Sequence, residues 1–154
     1  VTETNGWLGW AVQPHEIGLG IPHSQYHKHG AYIAEFADLA GFSRQEQMFL
    51  AALVGFHRRD IPGDYLARLP GRLHRSLRIT LLCMRLSWIF CRSREDEAIP
   101  DITVSLEGPR VRLVLSANWM ENHPLTIADL EYEKQVLQLV GLQLDIDYFA
   151  REPI

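Results

Sequence analysis

Hydrophobic positions along this chain recur first at helical spacing and then, toward the C-terminal third, at every second residue. Met48, Phe49, Ala52, Leu53 and Phe56 fall three and four residues apart, the stripe of an amphipathic helix running to about Arg59. Ser43 with Glu46 three residues later is the signature of a capping box at its start. Pro62-Gly63 stops the helix. Tyr26 to Ala37 reads as a preceding helix, with Gly41 marking the turn between the two. After Pro70-Gly71 comes the longest helical run, about Leu73 to Ser93, with Leu77, Leu81, Leu82, Leu86 and Ile89 available for burial.

From Glu95 onward the period becomes two. Ile102, Val104 and Leu106 alternate with polar residues, Gly108-Pro109 turns the chain, and Val111, Leu113 and Leu115 alternate again, which predicts a hairpin. A helix is expected from Thr126, as cap, to Val140, with Asp129 in its first turn and Gly141 closing it. Leu142 to Phe149 alternates as a last strand. The fold class is therefore α+β, a mainly helical domain over residues 1–94 followed by a small hairpin, helix and strand unit over 95–154.

Charge changes this picture more than composition does. The whole chain carries a formal −4, but residues 58 to 94 hold nine arginines against Asp60 and Asp64, and residues 95 to 154 are strongly acidic. On a helical projection Arg75, Arg78, Arg85 and Arg92 lie within about 100° of one another, so the long helix is expected to present a basic face. A one-sign face concentrates ions of the other sign, and a polyanion is the indicated partner. The bland alternative is a solvated face paired with the acidic tail, Glu95, Asp96 and Glu97 facing Arg92 and Arg94.

No apolar run approaches the roughly 20 residues needed to span a bilayer, and no charged start precedes an apolar core, so a soluble cytoplasmic protein without membrane contact is expected. The chain starts inside an expected helix, Trp7 to Val12, as an excised domain would. Cys83 and Cys91 lie eight residues apart on the long helix, about 12 Å, too far for a disulfide. They are expected to be buried, structural thiols, and Trp7, Trp10, Trp88 and Trp119 to be core residues. Gly-x-Ser-x-Gly, phosphate-cradling Gly-x-x-x-x-Gly-Lys and dinucleotide-binding motifs are all lacking.

Five of the seven histidines fall between His15 and His57. The run His15-Glu16-Ile17-Gly18 resembles the HD phosphohydrolases, where a His-Asp-Ile-Gly-Lys run contributes to a divalent metal site. Over nearly the whole chain a closer resemblance is to the C-terminal region of the exopolyphosphatase/guanosine pentaphosphate phosphatase family, carried by that run, by His23 to Ile33 and by Gly41 to Gln47. Glu16 in place of Asp extends the carboxylate by one methylene, about 1 Å, against a metal-ligand tolerance of roughly 0.2 Å. Leu19 replaces Lys, and Pro14 disfavours a regular helix before His15. His15, Glu16, His29 and His57 are accordingly read as remnants of a metal set, with no metal expected in this fragment.

The resemblance implies an HD-like helical fold and a role in polyphosphate binding and homodimer assembly. Release of terminal phosphate would belong to upstream actin-like domains, with magnesium as their cofactor, and no catalytic residue is expected here. His27, Lys28, His29, Arg58, Arg75, Arg78 and Arg85 are the candidate polyphosphate contacts. Two other readings are an active HD-type metal-dependent nucleotide phosphohydrolase and a purely structural dimerisation module.

Overall fold

The computed structural model describes residues 26–58, 60–62, 64–91 and 101–149. These form a mainly helical α+β chain with one small sheet. Two compact units divide between Arg85 and Leu86, inside the longest helix.

In the first unit, α1 (Tyr26–Phe36) turns at Gly41 and is followed by α2 (Arg44–Phe56). Gly41 sits at φ 89°, a left-handed conformation that strains any residue with a side chain. The capping box at the head of α2 is complete: Glu46 N–H donates to the Ser43 hydroxyl at 3.4 Å, and the Ser43 N–H donates to the Glu46 carboxylate at 2.7 Å. α1 and α2 pack closely because small residues meet at their crossing. A Cβ built on Gly55 would stand 3.1 Å from that of Ala31.

A short 3-10 turn, Tyr65–Arg68, leads to α3 (Gly71–Cys91). Phe49, Leu53, Val54, Leu77 and Leu81 are at most 1 % exposed and make the centre of this unit's core. α3 starts two residues earlier than its apolar pattern indicates, residues 92–93 of the expected helix lie outside the described residues, and Ile89 is only half-buried.

The second unit is built on a three-stranded sheet in the order β1 (Thr103–Glu107), β2 (Arg110–Ser116), β3 (Gln143–Phe149). β1 and β2 form the expected hairpin across Gly108 at φ 59°, while β3 pairs with β2 in parallel, Val111 opposite Leu144 and Leu113 opposite Ile146. A parallel neighbour requires a crossover. It is supplied by α4 (Ala117–Asn122) and α5 (Pro124–Gln138). Val111, Leu113, Leu115, Leu130 and Leu137 are fully buried, and Arg110, Arg112 and Asp145 alternate onto the exposed side.

Two expectations for α5 are corrected. It begins at Pro124 with His123 as cap, so Thr126 is inside the helix, and no acidic residue lies in its first turn, so Asp129 is too far along to meet the positive end of the dipole. Proline at the first helical position loses a donor that has no partner there anyway, which lets the helix start before Thr126. The C-terminus follows the sequence reading. Gly141, at φ 75°, donates to the Gln138 carbonyl and Leu142 to that of Leu137, a Schellman closure.

Candidate functional site

The sequence LysX3TyrX3Phe of α1, Lys28, Tyr32 and Phe36, places three side chains in one row because residues four apart are neighbours on a helix. The adjacent row is His27, Ala31 and Glu35. Both rows line one cavity of about 610 Å³ in the first unit. α2 adds Ala51, Gly55 and Phe56, and the segment that follows adds Asp60, Pro62, Tyr65 and Arg68. The close α1–α2 crossing leaves no bulk at Gly55, so the space persists beside it.

Glu35 organises one wall. Its Oε1 accepts from Arg68 at 2.7 Å and lies 3.4 Å from Arg44, which also donates to the Glu35 carbonyl oxygen. Glu35 is 9 % exposed, and two guanidinium partners offset the cost of holding a carboxylate there. The same arginines cover rings: Arg44 lies 4.8 Å over Phe36 and Arg68 5.0 Å over Tyr65. Tyr65 meets Phe56 edge to face at 4.7 Å and donates its hydroxyl to the Met48 carbonyl at 2.8 Å. Burial, and then the Glu35 charge, push the Tyr65 phenol up to about 12, so it stays a neutral donor. Tyr32 and Phe36 stack on each other at 4.7 Å yet remain 64 % and 56 % exposed.

Only part of the expected phosphate-binding set is gathered here. His27 is buried against the cavity and Lys28 lies at its exposed edge, but His29 does not line it. Arg58 follows α2, and Arg75 and Arg78 lie on α3, none of them lining the cavity. Arg75 is exposed and Arg78 half-buried.

Arg85 departs from the exposed basic face. It is 4 % exposed and donates to the carbonyl of Phe56, the last residue of α2. The last carbonyls of a helix lack partners within it and carry the negative end of its dipole, so a cation serves there as a cap. Its helical angle groups it with Arg75 and Arg78, but angle alone does not say which part of α3 the end of α2 covers. Arg92 and Arg94 lie outside the described residues.

His57 is 5 % exposed, with Nδ1 2.8 Å from the Val54 carbonyl, whereas His29 is exposed. No group of three or more His, Cys, Asp or Glu side chains among the described residues is placed to hold a metal ion. The described residues therefore do not fit one. His15, Glu16, Pro14, Leu19, His23, Trp7 and Trp10 lie outside those residues.

Sequence reasoning missed Glu35, Tyr65 and Arg68. The row of Tyr32 and Phe36 at helical spacing after Lys28 was a usable signal for the cavity edge. Arg68 and Glu35, 33 residues apart, carry no local signal.

A second depression of about 550 Å³ lies in the second unit, where Arg110, Arg112, Lys134, Asp145 and Asp147 mix charges of both signs. Arg112 pairs with Asp147 at 2.5 Å and Arg110 with Asp145 at 3.7 Å, so its cations are answered locally. No described helix is long and apolar enough to cross a membrane.

The profile of the Ppx/GppA phosphatase, domain III, matches residues 1–134. The chain is 31 % identical over 136 residues to the guanosine-5'-triphosphate,3'-diphosphate pyrophosphatase of Pseudoalteromonas translucida (strain TAC 125), covering 88 % of this chain and 27 % of that protein. It is 32 % identical to the like-named protein of Vibrio vulnificus (strain YJ016), over 86 % of this chain and 26 % of the relative. For that of Vibrio campbellii (strain ATCC BAA-1116) the figures are 30 % identity, 94 % and 31 %. The chain thus spans between a quarter and a third of the length of these relatives, and corresponds to their C-terminal part. With the family profile covering most of its length and each segment of the resemblance in order, this chain belongs to the Ppx/GppA phosphatase family, as its domain III.

Proposed function

We propose that this chain is a phosphate-chain-binding domain of a Ppx/GppA-type hydrolase, with cleavage of the phosphoric anhydride, and the magnesium that assists it, belonging to other parts of such an enzyme. The observation that carries this reading is Lys28: it stands at the edge of the cavity and makes no ion pair with any described residue. His29, Arg58 and Arg75 are further exposed groups of the same unit able to meet phosphate. The relatives are named for action on a phosphate-rich nucleotide, which supports a phosphorylated ligand. An HD-like ancestry, a homodimer, cytoplasmic residence and inorganic polyphosphate as the ligand complete the proposal.

Binding of long-chain polyphosphate, followed by titration at several salt concentrations, tests it. Each phosphate contact removed should lower the slope of log affinity against log salt by roughly 0.7 to 0.9, by analogy with nucleic-acid backbones. The Lys28→Ala/Arg75→Ala double variant is expected to bind more weakly with a shallower slope, at an unchanged thermal midpoint, and wild-type binding should release no phosphate. An affinity and slope identical to wild type would overturn the assignment of these residues, and absence of any binding would overturn the function.

A further inference from the structure

In the second unit α5 covers only part of the sheet. Residues opposite one another on paired strands share a face, so Val104 opposite Leu113 and Leu106 opposite Val111 belong to the face that β2 buries. α5 packs against β3 on that face, and Val104, at the far edge of the sheet, is left 47 % exposed. The helix carries a matching apolar line. Leu125, Tyr132 and the cap residue Leu139 recur at intervals of seven, two helical turns, and are 76 %, 52 % and 48 % exposed. Lys134 fixes which way this line looks. It joins Asp145, Ile146 and Asp147 of the edge strand β3 in the depression on the opposite sheet face. At about 100° per residue the three apolar side chains stand roughly 140 to 180° around the helix from Lys134, hence on the side toward β1. β1 supplies an apolar floor and α5 a wall.

We propose that this corner is a docking surface for an amphipathic helix of a partner protein, its apolar stripe laid over Val104 beside Leu125, Tyr132 and Leu139 and its flanks basic. A second helix there completes the layer over the three strands, which α5 alone leaves open at β1. The basic flanks follow from charge. Residues 101–149 carry eight carboxylates against Arg110, Arg112 and Lys134, and those three cations line the depression on the other face. Asp129 and Glu131 stand on either side of the apolar line. Glu131 keeps its pair with Lys134 at 2.7 Å, so the net field of the unit rather than a single contact selects a cationic partner. A second copy of this chain would bring the same acidic surface to the corner and be repelled. The surface depends on neither Lys28 nor the reading of the first-unit cavity.

Fluorescence anisotropy of a labelled amphipathic peptide of about three heptads, with Leu at its a and d positions and Lys along both flanks, measures binding to the 154-residue chain. Binding is expected, weaker as salt rises, and a peptide of the same composition in scrambled order should bind roughly tenfold less tightly. Leu125→Ser combined with Leu139→Ser should also cost roughly tenfold, as loss of buried anchors does. Val104→Thr, which keeps a β-branched residue in the strand, should weaken binding to a smaller extent. All of these positions are exposed, so thermal midpoints should stay near that of the wild type. Equal binding of the scrambled peptide or of a Leu/Glu counterpart, or full affinity in the Leu125/Leu139 variant, would overturn the proposal. Full affinity in Val104→Thr would overturn the placement of the helix over β1. Self-association of the wild type in light scattering, lost in the Leu125/Leu139 variant, would make the occupant a second copy and overturn the choice of partner.

Discussion

At the scale of single residues, the head of α2 shows how far short-range chemistry can be read directly. Ser43 and Glu46 satisfy each other's backbone donors within one turn, so no tertiary information is needed to place them. The Ser43 hydroxyl, and then its backbone N–H, hold the Glu46 carboxyl below its ordinary value of 4.5. A carboxyl depressed in the folded state contributes stability that is present above the unfolded value and lost as pH falls through the folded one. Ser43→Ala should therefore cost about 1 kcal/mol at neutral pH in urea unfolding. The part of that difference that runs through the Glu46 carboxylate should vanish in acid, below pH 4.5, while the part from the hydroxyl that accepts the Glu46 N–H stays, and a pH-independent difference would exclude the carboxylate's part. Arg85 shows the opposite case. Its role as a cation on the end of α2 depends on a residue 29 positions away, and helical angle grouped it with exposed neighbours.

Among elements, periodicity located every long helix and all three strands, because amphipathic faces are written into spacing. It gave neither the parallel pairing of β3 with β2 nor the six-residue α4, which is too short to show a period and has no buried residue. α4 is instead continued by a local contact, the Trp119 ring stacked on His123 at 4.1 Å. For the cavity, the α1 rows were legible from i, i+4 spacing, while Tyr65 and Arg68 arrive through a 3-10 turn whose sequence has no site signature. The α1–α2 crossing carries its own prediction. Since even a Cβ at Gly55 would press on Ala31, Gly55→Val should destabilise the unit by about 1 to 3 kcal/mol through overpacking. A thermal melt with no shift, or a stabilised variant, would show that the crossing is looser than drawn.

For the whole molecule, uneven charge along the chain is resolved in part within the first unit. Arg68 is paired with Glu35 from the preceding segment, Arg72 donates to Gln45 at 2.5 Å, and Arg85 caps α2. A count of charge by segment could not anticipate this, since it treats as one block residues that fold onto different neighbours. The cysteines bear on the long helix as a whole. Cys83 and Cys91 are both exposed, against the burial expected of them, and Cys83 lies off the stripe formed by Leu77, Leu81, Leu82 and Leu86. Nearby atoms still strip enough water from Cys83 to raise its thiol above the ordinary 9.0. Exposure decides whether a reagent arrives, and the raised thiol only how fast it reacts. Maleimide should modify both thiols in the folded protein, Cys83 faster as pH rises, and an unlabelled native chain would contradict the exposure.

Two accessible thiols at fixed positions on one helix are also a pair of attachment points. Spin labels placed there need no engineered cysteine, and an unbroken α3 sets their Cα atoms about 12 Å apart at 1.5 Å of rise per residue. Dipolar broadening between them would thus report, with nothing but the native sequence, whether the helix holds its pitch while a phosphorylated ligand is bound.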